Sequence, residues 1–168
     1  PSSAGTRRLR CGRRTVPKEG PAVYNGNVRH IVVCGLGRFG LQVVESLRAA
    51  GAAVTVVSGP NTRADRVERA TTLGARYVEG DFRFPSVRRD ADVAGAGAVV
   101  VATADDAANL EAALEVRGEA PRVRVVMRLS EPRLARRLET DFGISRVLSP
   151  PALAADAFVA AALDAPSN

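Results

Sequence analysis

The sequence has no tryptophan, one methionine, one histidine and two cysteines in 168 residues. Two cysteines, Cys11 and Cys34, give neither a disulfide framework nor a zinc-binding spacing. Cys34 sits inside an apolar run and reads as a small buried hydrophobe. The only histidine is His30, at the start of that run, and the only lysine is Lys18. There is no Cys/His dyad, no helical Tyr-x-x-x-Lys pair and no cluster of metal ligands. Hydride transfer to a carbonyl needs a proton donor, and none is evident. The chain is therefore expected to bind a ligand rather than to catalyse a reaction. Long apolar runs are also missing. The best candidates, Ala96–Ala104 and Val147–Ala155, fall well short of the ~18 residues of a transmembrane helix, and the second contains two prolines.

Charge of one sign is absent from most of the chain. The formal net charge is +6, but residues 1–29 hold seven of the 24 basic groups (Arg7, Arg8, Arg10, Arg13, Arg14, Lys18 and Arg29) and only one of the 18 acids, Glu19. The remaining residues carry 17 of each sign, a balance that argues against a nucleic-acid-binding domain. Residues 1–29 are rich in Ser, Gly, Pro and Arg without apolar periodicity and read as a disordered basic linker. They lack the apolar core of a signal peptide and do not begin with Met, so the chain reads as an excerpt or a processed product. Such a basic segment suits the cytoplasmic flank of a membrane span, or equally a plain solvated charge run.

What is present is a glycine turn in a definite setting. Four apolar residues, Ile31 to Cys34, run into Gly35-Leu-Gly37-Arg38-Phe39-Gly40, and a helical apolar pattern (Leu41, Val44, Leu47) follows. Gly-x-Gly-x-x-Gly between a strand and a helix is the dinucleotide fingerprint. The first glycine permits the tight turn, the second lets backbone approach a pyrophosphate, and the third lets helix pack on strand. The helix N-terminus offers free N–H groups to an anion.

After that turn, strand-like and helix-like segments alternate. Strands are expected at 54–57, 76–79, 98–102, 123–127 and 145–148, and helices at 64–73, 85–93, 105–116, 131–140 and 152–163. Six strands alternating with helices predict an α/β fold, a Rossmann-like doubly wound parallel sheet in the order 3-2-1-4-5-6, over residues 30–164. Ligand should lie at the switch between strands 1 and 4.

The fingerprint is incomplete. A ribose-binding Asp or Glu is expected about 20 residues beyond the loop, and Ser58 stands there. Serine can bond one hydroxyl but cannot clamp ribose as a carboxylate does. Losing the acid also removes its repulsion of a 2′-phosphate, which Arg63 or Arg66 could pair. Arg38 adds charge at the mouth of the phosphate site and suits a nucleotide with several exposed phosphates. Asp105 and Asp106 follow the fourth strand, but neighbours on a helix do not face each other, and acids at a helix start commonly cap it.

From His30 to about Leu163 the sequence resembles the regulator-of-potassium-conductance N-lobe (RCK, or TrkA-N type). The resemblance rests on Gly35-Leu-Gly-Arg-Phe-Gly40, Gly80-Asp81, Ala102-Thr103-Ala-Asp105-Asp106 with Asn109-Leu110, and Met127-Arg128. It implies a regulatory domain on the cytoplasmic side of the membrane. There it would serve a potassium channel, a Trk/Ktr-type system or a cation–proton antiporter, as a homo-oligomer (a dimer or a larger ring). It implies an adenine nucleotide as ligand: NAD(H), NADP, ATP, ADP or AMP. By the same resemblance Gly35, Gly37, Arg38, Phe39 and Gly40 would hold the phosphates and Asp81 and Phe82 would lie by the adenine. Thr103, Ala104 and Asp105 would lie by the distal half of the ligand, with Arg128 a second phosphate contact. The acid usual in that family at the place of Ser58 is missing, its C-terminal lobe is expected to be missing or to lie elsewhere, and the apolar side of the last helix would be a dimer contact or a core face. A competing reading is the cofactor domain of an NAD(P)-dependent oxidoreductase whose catalytic half lies elsewhere.

Overall fold

The computed structural model describes residues 30–163; the basic segment 1–29, with Cys11 and Lys18, and residues 164–168 lie outside them. Six strands form one sheet: β1 (Ile31–Cys34), β2 (Val54–Ser58), β3 (Arg76–Glu79), β4 (Ala98–Val101), β5 (Arg124–Arg128) and β6 (Arg146–Leu148). All pairings are parallel, and the order is β3-β2-β1-β4-β5-β6, as the alternation predicted. β1 is central because its residues Val32, Val33 and Cys34 are all buried; a strand covered on both faces can be apolar throughout.

Two clusters fill the two faces. Val33, Val54 and Val56 pack with Val44 of α1 (Arg38–Ala49) and Ala70 of α2 (Ala64–Thr72). Val32, Cys34, Val99, Val101, Val125 and Met127 point to the other face, towards α4 (Asp106–Glu119) and Leu138 of α5 (Ala135–Asp141). The short α3 (Pro85–Asp90) lies on the second side, between β3 and β4.

Several boundaries move for local reasons. α3 ends early because the chain turns at Asp92, whose φ is +54°. The segment expected as one helix over 131–140 opens as a 3₁₀ turn, Pro132–Leu134, capped by the Glu131 carboxylate on the Arg133 N–H, before α5 begins. The last helix, α6 (Pro150–Leu163), starts on a proline pair, since the first turn of a helix needs no donor there. Leu153, Phe158, Val159 and Leu163 on α6 are 57 to 79% exposed, so this helix is not a core face. No helix among the described residues is long and apolar enough to cross a membrane.

Candidate functional site

The glycine turn is built as its sequence demands. Gly35 has φ +97°, and a Cβ there would come within 2.8 Å of Thr103 Cγ2. A Cβ on Gly40 would lie 2.0 Å from the Gly35 carbonyl oxygen, so α1 packs directly on the turn. Gly37 differs: nothing lies within 4 Å of where its Cβ would be. Packing inside the protein therefore does not account for glycine at 37, whereas an approaching ligand would. Gly37 is also the N-cap of α1, and no side chain caps that helix; its first-turn amides are left to an anion.

Two cavities flank Ser58. The first, about 250 Å³, is lined by Gly35, Ser58, Asp81, Phe82, Arg83 and Thr103, among others. The second, about 340 Å³, lies between the glycine turn and α2 and is lined by Gly37, Ser58, Asn61, Thr62, Arg63 and Arg66 among its residues. Ser58 joins them. Its Oγ accepts from the Leu36 N–H (3.3 Å) and contacts the Thr62 hydroxyl (2.7 Å), and its carbonyl accepts from the Gly80 N–H (3.0 Å) and the Tyr77 hydroxyl (3.2 Å).

The structure thus brings Gly35, Ser58, Asp81, Phe82 and Thr103 around one hollow, with Gly37, Ser58 and Arg63 around its neighbour. Arg38 is exposed at the start of α1. Phe82 is buried among Cys34 and Val57 and presents only part of its surface to the cavity. Arg63 is held by Asp65, its Nε and Nη2 donating at 2.9 and 3.0 Å; that hydrogen bonding lowers the carboxyl pKa of Asp65. Asp81 accepts from the Arg83 side chain and backbone N–H, which holds its carboxyl below the usual range. Ala104 and Asp105 line neither cavity. The Asp105 carboxylate caps α4, accepting from the Ala107 and Ala108 N–H groups, and Asp106 accepts from the N–H and hydroxyl of Ser130.

Arg128 lies across β4 from the turn. Its guanidinium sits over the Phe39 ring, and its Nε is buried without a hydrogen-bond partner. An orphaned buried donor costs about 1–3 kcal/mol; the Nε of Arg117 on α4 is orphaned in the same way. Beside Arg128, the fully buried Asn109 amide donates to the Thr103 and Arg128 carbonyls (both 3.1 Å), while its oxygen accepts from the Thr103 N–H (3.1 Å) and hydroxyl (2.5 Å).

One residue at this end of the sheet carried no sequence signal. Arg88, 2% exposed, donates to the Phe82 and Arg83 carbonyls and pairs with Glu115 and Glu119 of α4. It pins the loop holding Asp81 against α4. In the sequence Arg88 falls in a short, charged helix; only the docking of α3 on Glu115 and Glu119, one turn apart, shows its use. Cys34, beneath the first cavity, is pushed up to about 12 by burial first and by the nearby Asp81 charge second, which leaves a protonated, inert thiol.

A family model of the TrkA-N domain matches residues 31–150. The chain belongs to the TrkA-N domain family. Among curated proteins, this TrkA-N domain is 25% identical over 103 residues (61% of the chain) to a Trk system potassium uptake protein TrkA homolog from Pyrococcus abyssi. The chain spans less than half the length of the curated relatives it matches. Among solved structures, the TrkA-N domain of the inner membrane protein ybaL from Escherichia coli superposes with a TM-score of 0.68 at 20% identity, covering 79% of this chain and 96% of that one. The Kef CTD of Shewanella denitrificans, in an AMP-bound form, superposes with a TM-score of 0.67 at 20% identity over 82% of both chains. At such identities the structural likeness is one of fold.

Proposed function

We propose that this TrkA-N domain is a regulatory module of a potassium transport system or channel, acting on the cytoplasmic side of the membrane, and that its ligand is an adenine nucleotide. The observation that carries the ligand is the pairing of an open Gly37, ahead of uncapped α1 amides, with the orphaned Nε of Arg128. An acceptor from outside would satisfy the α1 amides together with the Arg128 side chain, which donates to no group among the described residues. The AMP-bound Kef CTD and the Pyrococcus abyssi potassium uptake homolog support the nucleotide and the transport context.

In this reading the phosphates sit on the first turn of α1, with Arg38 and Arg128 on either side, and the ribose lies by Ser58. The adenine enters the first cavity beside Asp81 and Phe82, and Thr103 meets the distal part of the ligand. The chain works as a switch rather than a catalyst. A ligand moves such a switch only by the difference in its affinity for the two states. The exposed apolar side chains of α6 supply the contact through which copies of the domain form a dimer or a larger ring.

The test is calorimetric titration of the chain with AMP, ADP, ATP, NAD and NADP, with sedimentation measured alongside. Saturable binding that shifts the assembly state, lost in Gly37→Asp and weakened in Arg38→Ala, supports the reading. Binding that neither substitution alters would remove the site. Turnover of a reducible substrate by the full-length protein would favour an oxidoreductase instead.

A further inference from the structure

The second cavity has a chemistry of its own. No carboxylate lines it. Of its two arginines, Arg63 is engaged by Asp65 out at the exposed rim, where the two side chains are 68 and 61% exposed. Arg66 is half-buried and forms no salt bridge among the described residues. Its one hydrogen bond is a long one, 3.5 Å from Nη1 to the Leu36 carbonyl of the glycine turn. The guanidinium thus spans from α2 to the turn, beside the end of β2, with most of its donors uncommitted. Ser58 Oγ accepts from the Leu36 N–H and shares a hydroxyl–hydroxyl contact with Thr62, whose Oγ also lies 2.7 Å from the Gly59 carbonyl, and the Asn61 amide stands on the same wall.

At the end of the second strand a Rossmann-like sheet meets the 2′ position of the adenosine ribose. A carboxylate there accepts from the ribose hydroxyls and repels a phosphate. A hydroxyl, an amide and an arginine with free donors offer the reverse polarity. A phosphomonoester carries about −1.5 to −2 charges at neutral pH and is a strong bidentate acceptor for arginine. We propose that the cavity between the glycine turn and α2 is a 2′-phosphate subsite centred on Arg66, and that the domain responds to adenosine 2′-phosphate ligands of the NADP(H) class in preference to NAD(H). This inference rests on the nucleotide reading above and refines it.

The experiment compares NADP, NAD, 2′,5′-ADP, 3′,5′-ADP and AMP by calorimetry on the intact chain, then on Arg66→Gln and Ser58→Asp. NADP should bind at least tenfold more tightly than NAD, and 2′,5′-ADP at least tenfold more tightly than AMP or 3′,5′-ADP. In Arg66→Gln the NADP/NAD affinity ratio should fall to within about threefold of one. Ser58→Asp, which restores an acid, should invert it. NAD binding as tightly as NADP, a preference for 3′,5′-ADP, or a ratio untouched by Arg66→Gln would each overturn the subsite while leaving the nucleotide reading intact. If none of the five nucleotides binds, the subsite falls, and the nucleotide reading falls with it when ADP and ATP also fail to bind.

Discussion

The guanidinium carbon of Arg128 lies 5.4 Å from the centroid of the Phe39 ring, joining the end of β5 to the first turn of α1 across the intervening β4. Stacking holds the cation while leaving its in-plane donors free, and one of them, Nε, has no partner. Arg128→Met should therefore separate binding from stability. A charged hydrogen bond contributes about 1.5–3 kcal/mol, so nucleotide affinity should drop about ten- to a hundredfold. The thermal midpoint should hold or rise, because the substitution also removes an unsatisfied donor. Calorimetry and a melting curve on the same sample check both halves.

The first-turn glycines should behave in opposite ways. Gly40→Ala places a methyl 2.0 Å from the Gly35 carbonyl oxygen and forces α1 off the sheet. A cost of about 3 kcal/mol, at the upper end for overpacking, should show in urea unfolding. Gly37→Ala meets nothing and should change stability by less than about 1 kcal/mol, yet lower nucleotide affinity at least tenfold.

Arg88→Ala should cost about 1–3 kcal/mol, the range for leaving buried acceptors unpaired. It strands the Phe82 and Arg83 carbonyls and frees the loop beneath Asp81. Hydrogen exchange should quicken at Phe82, Arg83 and Phe84 first. Glu115→Gln, which removes only a half-exposed partner, should be far milder.

Cys34 provides a pH test. Burial raises its thiol from 9.0 to about 12, so the folded chain keeps a proton that the unfolded chain releases above about pH 9. The associated stability is complete below pH 9 and is lost as pH rises towards 12, at no more than about 1.4 kcal/mol per pH unit. Cys34→Ala should flatten that part of the alkaline stability profile. At pH 8, peptide mapping should find Cys34 unalkylated by iodoacetamide until urea is added.

The order of the sheet was readable because each strand announces itself locally. Ala98–Val101 is an apolar run throughout, as a strand covered on both faces can be, and the glycine triplet marks the first strand. Helix ends were harder, since a positive φ at Asp92 and the Glu131 cap depend on single side chains. Which residues line one cavity was legible where they follow strand ends, as with Gly35, Ser58, Asp81 and Thr103. Arg88 was illegible because burial of an arginine depends on acids 27 and 31 residues away. Arg66 stood beside Arg63 as an equal candidate in the sequence; only the Asp65 contact separates the salt-bridged cation from the one without a salt bridge among the described residues.

Asn109 has every donor and acceptor of its amide in use, between the ends of β4 and β5. A fitting with no spare valence has no slack. If a ligand displaces Thr103, the carbonyl of Arg128 must follow or the buried amide must break a bond. The neighbouring strand ends are therefore yoked: a push delivered at one is felt at the other as displacement rather than absorbed as local give, as a lever transmits a stroke.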